Sequence, residues 1–478
     1  MHADVGTYRG GALAPAAPSR LLSGPVLVFV AIALSVFTAW NVARGSPLMA
    51  VPLVLVVLAV YATVPTETLF VAWLAVAPFI QENARATPVG WVLTNAFYVL
   101  PVGVLLFRMA RANTLARHLQ WYDVLPAGYV CLVLVSTAMV DSFQLRQPGF
   151  YSEILHAGVL IGPPMYYVAA FGPLQRLAPR HVIAAILGSC SGVAALGIFE
   201  HYTHWNLWGM EQLQDNPNDP LRIVVTLSNP AVLGAFYGAG IVTATAVLGW
   251  GGPRVLRRMS VVTLVLAFPA LFFTYTRGGV VATVIVTAVL VAMRRRVRIV
   301  AAVLAILAAF LVWFSWGEIS SNPLYQERAA NVGNVRGREA QNKAGLQLAA
   351  ERPLLGWGYG QYNEVKNRRA LYTGPMSATV YGYTSHNTYL TVLVELGMVG
   401  LVLAFLPWLI VVWSVIRRFS SMPYPPWYVL SLLAIVGVVV LTAQTTDMRF
   451  FSFVPALAWI CVGFLRRGLW MQSTAARA

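Results

Sequence analysis

The chain has 478 residues, 58% of them hydrophobic and only 10% charged, whereas a soluble protein carries roughly 25% charged residues. Too little polar surface is left for a water-soluble globule. The apolar runs are continuous and close to the roughly 20 residues of a helical crossing, which excludes the short alternating strands of a membrane β-barrel and leaves an all-α polytopic membrane protein. Basic residues outnumber acidic ones by 33 to 17, a net charge of +16. In a soluble protein this would suggest nucleic acid, but in a polytopic one basic loops mark the cytoplasmic side, so no nucleic-acid partner is expected.

In chain order, residues 1–20 hold Arg9, Arg20 and a Pro/Ala/Gly-rich stretch and read as a cytoplasmic tail. The apolar run that follows is too long for a signal-peptide core. Candidate spans fall at about 24–42, 47–64, 67–82, 90–108, 123–141, 152–172, 181–200, 229–250, 259–276, 278–293, 298–316, 386–415, 427–446 and 450–465, or about 12 to 14 crossings. Arginine clusters recur on alternate connections, at Arg108, Arg111 and Arg117, Arg176 and Arg180, Arg254 to Arg258, Arg294 to Arg298, Arg417 and Arg418, and Arg466 and Arg467. By the positive-inside rule these connections and both termini are cytoplasmic. The chain then divides into the tail 1–20, spans over 21–316 with a short outer loop at 201–228, a large outer loop domain at 317–385, spans over 386–465, and a second cytoplasmic tail at 466–478. Cys131, Cys190 and Cys461 all lie in apolar runs without CxxC spacing and read as small core residues.

The large outer loop contains RGREAQNKAGLQLAAERP, whose Ala340, Ala344 and Leu348 share one face of a helix that Pro353 should end. A glycine-aromatic turn, GWGYGQY, follows.

Polar groups at membrane depth are costly and mark functional candidates. Thr274-Tyr275-Thr276-Arg277-Gly278-Gly279 joins two apolar runs with almost no loop. Arg277 reads there either as a phosphate seat, with a planar guanidinium beside exposed helix N–H groups, or as an arginine reaching to lipid headgroups. Arg222 precedes another span, which Ser228 or Asn229 should cap, with Pro230 in its first turn. His201 and His204 stand at i, i+3, but no third ligand of convincing spacing accompanies them, so no metal is expected. His386, between Ser385 and Asn387 where the long loop re-enters the membrane, is placed either to accept a proton or to serve as an interfacial structural histidine.

The order TYTRGG, then RGREAQNKAGLQLAAERPLLGWGYGQY, then SHNTYLTVLVELGMVG over about 274–400 resembles the bacterial O-antigen ligase and O-antigen polymerase family. The likeness implies a GT-C-like membrane glycosyltransferase of the inner membrane. It would take a glycan from an undecaprenyl-diphosphate donor and pass it, on the periplasmic face, to an acceptor hydroxyl of lipid A core or of a growing repeat-unit chain. It implies Arg222 and Arg277 on the diphosphate, Arg336 and Arg338 on the loop side, and His386 activating the acceptor, without cofactor. The chain departs from many members at Gln341 and Asn342, where those carry a large aromatic residue. Only 17 acidic residues and no DxD suit a transfer in which arginines replace a metal. Tyr325, Trp357, Tyr359, Tyr362, Tyr372, Tyr381 and Tyr383 could stack on sugars or form an interfacial belt. The rival class is a transporter or flippase of lipid-linked oligosaccharide, for which Gly162-Pro163-Pro164 and Phe268-Pro269 supply broken spans. Against it, the polar candidates gather on one side of the membrane.

Overall fold

The computed structural model describes residues 61–80 (except Ala62), 88–112, 119–142, 158–205, 222–314 (except Ser228), 333–369 and 385–475. The expected tail 1–20, the first span and nearly all of the second lie outside them, as do Ser228, Tyr325, Tyr372, Tyr381 and Tyr383.

Among the described residues every regular element is a helix: α1 (Thr66–Val76), α2 (Pro88–Arg111), α3 (Leu125–Ser142), α4 (Gly162–Phe171), α5 (Pro179–Thr203), α6 (Pro230–Gly249), α7 (Arg254–Phe273), α8 (Arg277–Met293), α9 (Arg295–Phe314), α10 (Gly333–Glu351), α11 (Tyr362–Arg369), α12 (Thr388–Arg417), α13 (Pro426–Thr442) and α14 (Phe453–Ala475). Six helical segments are long and apolar enough to cross a membrane: Trp121–Met139, which includes most of α3, and α5, α6, α7, α12 and α14. Shorter apolar helices occupy Thr66–Phe79, α8 and α13. The chain is an all-α polytopic membrane protein.

α6 is the centre of the bundle. It packs on α5, α7, α8 and α13 and is buried almost throughout. Helices in lipid associate through close backbone approach at small residues, and α6 meets α8 in this way. A Cβ on Gly279 would lie 2.9 Å from the Gly234 carbonyl carbon, and one on Gly234 would lie 2.4 Å from Thr276 Oγ1. The first turn of α8 is thereby pressed onto α6.

One expectation is refined and one corrected. Gly162-Pro163-Pro164 opens α4, where the missing proline N–H groups would have no helical partner in any case, and most of the expected span before it lies outside the described residues. Arg466 and Arg467 are not loop cations, because α14 continues through them and buries both. Asp123 explains the first: Arg466 donates from Nη2 to Asp123 Oδ2 at 2.8 Å and from Nε to Oδ1 at 3.0 Å, and the Tyr166 hydroxyl donates to the same carboxylate. Arg467 donates to the Ala170 and Gly172 carbonyls at the end of α4. These bonds fasten α14 to α4 and to the turn before α3.

Candidate functional site

The TYTRGG segment is a three-residue turn between α7 and α8. Tyr275 adopts φ +51°, a left-handed conformation that costs a side-chain-bearing residue of order 1 kcal/mol or more and needs support from its surroundings. That support is local: Tyr275 N donates to Phe272 O at 3.0 Å, and the Thr274 and Thr276 hydroxyls pair at 2.7 Å. Because the Thr276 side chain is engaged there, it does not cap α8. Arg277 opens α8 with an exposed side chain, as the near-zero turn required.

Arg222 belongs to the same structure. Its Nε donates to Thr274 O at 3.3 Å, and Ile223 N donates to Phe273 O at 3.4 Å. The run from Arg222 to Leu227 is pinned by Glu200, whose carboxylate accepts from Val224 N at 3.3 Å and Val225 N at 2.9 Å. Asn229 caps α6, its Oδ1 accepting from Ala231 N at 2.8 Å. His201 lies flat on Phe273, ring centroids 3.8 Å apart, while His204 is the left-handed residue that ends α5. No group of three His, Cys, Asp or Glu side chains is gathered for a metal among the described residues.

His386 approaches the same end of the bundle from α12. Asn387 caps that helix through Leu390 N at 3.1 Å, so the asparagine of the motif is structural. Thr388 locks the segment to the turn after α13: its N donates to Ala443 O at 2.9 Å, its Oγ1 donates to Thr446 O at 2.8 Å, and it accepts from Met448 N at 2.9 Å. Thr445, in that same turn, stands against Gly278, where an added Cβ would fall 2.2 Å from Thr445 Oγ1. The turn 443–448 therefore touches the starts of both α8 and α12, the first opened by Arg277 and the second preceded by His386.

The loop helices close the site from the other side. Ala340, Ala344 and Leu348 of α10 are buried, the face foreseen in the sequence, and the helix stops at Glu351, two residues before Pro353. Arg338 is exposed and acts electrostatically on His386; the Arg336 side chain lies outside the described residues. Gln341 is buried, its carbonyl accepting from Tyr362 Oη at 3.2 Å. Burial pushes the His386 imidazole below its ordinary value, Arg338 adds to this, Asp447 opposes it, and Lys366 adds again. Lys366 is itself buried, 5.3 Å from the Tyr362 ring, and desolvation brings its ammonium down to about 8.

Sequence reasoning missed the charged cluster beneath. Glu395 of α12, Asp447 and Arg449 are all buried. Arg449 pairs with Glu395 through Nη1 and with Asp447 through Nε at 2.9 Å and Nη2 at 2.8 Å. Glu395 also accepts from Gly360 N at 2.7 Å and Tyr362 N at 3.1 Å. Tyr359 and Tyr362, named as candidates for sugar stacking or an interfacial belt, are buried in this assembly, and Trp357 lies under Arg352 and Arg369. Arg449 also lines an apolar pocket with Tyr129, Tyr389, Phe405, Trp408 and Trp459.

A search of curated proteins finds no match to the chain. Residues 262–405, which run from α7 to α12 through the Arg277 turn, α10 and His386, match the model of the O-antigen ligase family. Over that stretch, which holds the motifs noted in the sequence, the chain is similar to the O-antigen ligase family.

Proposed function

We propose that the protein is an inverting glycosyltransferase of the bacterial inner membrane that moves a glycan from undecaprenyl diphosphate to an acceptor hydroxyl on the periplasmic face. The observation that supports this reading is the contact of one turn, 443–448, with the starts of both α8 and α12, beside which the exposed Arg277 and the half-buried His386 stand. Arg277 and Arg222 would hold the diphosphate, with Arg336 and Arg338 on the loop side. The acceptor oxygen attacks the anomeric carbon as the bond from that carbon to the phosphate oxygen breaks. The hydroxyl proton passes to His386, and the leaving diphosphate keeps the electron pair under the arginines. Neutral imidazole is required for this, and the cations Arg338 and Lys366 favour it. The apolar pocket beside Arg449 suits the isoprenoid end of such a donor.

The acceptor is lipid A core for a ligase or a growing repeat-unit chain for a polymerase. Reconstitution with a lipid-linked oligosaccharide and each acceptor in turn should give a glycosylated product with one of them. Movement of the donor across vesicles without any transfer, in a protein that tolerates His386→Ala, would instead establish the flippase reading.

A further inference from the structure

The loop 352–361 does more than cover the site. At Gly397 the backbone of α12 leaves the helix, with φ +65°, and the amides freed beyond the break are taken up by the loop. Met398 N donates to Pro353 O at 2.8 Å and Val399 N to Leu354 O at 3.2 Å. An added Cβ on Gly397 would fall 2.1 Å from Leu354 O, so Pro353 and Leu354 lie directly on the helix. Yet Leu354 and Leu355 are 68% and 62% exposed.

The depth of this contact follows from length. From Met398 to Arg417 α12 has 20 residues, about 30 Å at 1.5 Å per residue and thus the thickness of the hydrocarbon core. With Arg417 and Arg418 at one edge, the break at Gly397 falls at the other. The face of α12 beyond the break is apolar and open, with Met398, Val402, Leu409 and Trp413 exposed, and the leucine pair continues it at its upper end. Arg352 lies 4.0 Å from the centroid of the Trp357 ring and Arg369 5.0 Å from it. Arginine and tryptophan together are the side chains that settle at the headgroup level.

We infer that Leu354 and Leu355 are a membrane anchor, inserted among the lipids of the leaflet beside the site, with Arg352 placed at the lipid phosphates and Arg369 held beside it by Glu351 at 3.1 Å. Continuity with the lipid-facing side of α12 selects lipid over a protein partner. The anchor holds the loop that seats on Glu395 at the bilayer surface, independently of the reaction performed there.

Bimane on Leu355→Cys, and separately on Leu354→Cys, tests this in the full chain with the exposed Cys131 changed to Ser, reconstituted in phosphatidylethanolamine and phosphatidylglycerol vesicles. Lys343→Cys, on an exposed position of α10, is the aqueous reference. Labels at 354 and 355 should be quenched by lipids brominated high on the acyl chain and protected from iodide several-fold better than the label at 343. A response like that of the 343 label overturns the anchor. So does shielding from both quenchers, which would mean that protein covers the leucines.

Discussion

His386 sits among opposed charges, with Arg338 on α10 and Lys366 on α11 against Asp447 in the turn 443–448. Burial and the two cations favour the neutral ring, so the proton-accepting form should persist below the ordinary histidine value of about 6.5. The transfer rate should therefore rise with pH through one ionisation whose midpoint lies under that value, and fall only at lower pH, where the ring takes up its proton. Lys366 remains charged up to about 8, above this window, so Lys366→Met should move the midpoint upward while Lys366→Arg leaves it in place. A pH–rate profile of each variant checks this, and an unmoved midpoint in Lys366→Met would remove the lysine from the account. His386→Ala should lose about 10²- to 10⁴-fold in rate, the usual size of a general-base contribution. At Arg277 the planar fork matters as well as the charge. Arg277→Lys should cost at least about tenfold in kcat/KM, equivalent to roughly 1.4 kcal/mol, as measured with the lipid-linked donor in a folded, inserted protein.

α12 was legible in the sequence as a span, but its break at Gly397 was not. A single glycine in an apolar run is ordinary, and only the approach of the Leu354 carbonyl makes it necessary. The amphipathic pattern of α10 was readable because Ala340, Ala344 and Leu348 recur at helical spacing. The roles of Tyr359 and Tyr362 were not, because burial is set by a partner distant in sequence, Glu395. The cluster had one readable trace: a lone carboxylate within a span, and Asp447 and Arg449 in a gap of a few residues between two spans, are costly unless they meet. Pairing them required the fold. Gly397→Val should displace the loop, since the side chain would collide with Leu354 O in a left-handed backbone conformation. The expected result is faster proteolysis within 352–361 and a loss of transfer, with the other spans intact. Glu395→Ala leaves Arg449 buried beside Asp447 alone and removes the acceptor for two amides; loss of one partner of a buried pair costs about 3–5 kcal/mol, read as a lowered unfolding temperature in detergent.

Among the described residues, the length of the apolar runs was enough to place most helices, since lipid imposes the span length. They could not show that Arg466 and Arg467 turn inward, because an arginine at a helix end looks the same in sequence whether it meets a headgroup or Asp123. Nor could they show that the Arg277 turn and His386 share one end of the bundle through the turn 443–448. That convergence depends on the close approach of Gly234 and Gly279, which aligns α8 on α6. On the proposed reading the arginines supply the charge that balances a diphosphate, so no divalent ion is required. Purified protein should keep its rate in excess chelator without Mg²⁺ or Mn²⁺, and a rate restored only by adding either ion would contradict that assignment.

Glu395 grips the loop through the main-chain amides of Gly360 and Tyr362, not through their side chains. Such a joint works like a socket that reads backbone curve, while Leu348, Tyr362 and Val365 pack on Leu390 and Val394 beside it. The exposed residues of α10 and α11 take no part in that joint, so substitutions there should leave the loop seated on Glu395. On the proposed glycosyl-transfer reading, a homologue's 333–369 segment transplanted onto this bundle should therefore dock, and an assay with each acceptor would read whether acceptor preference travels with it.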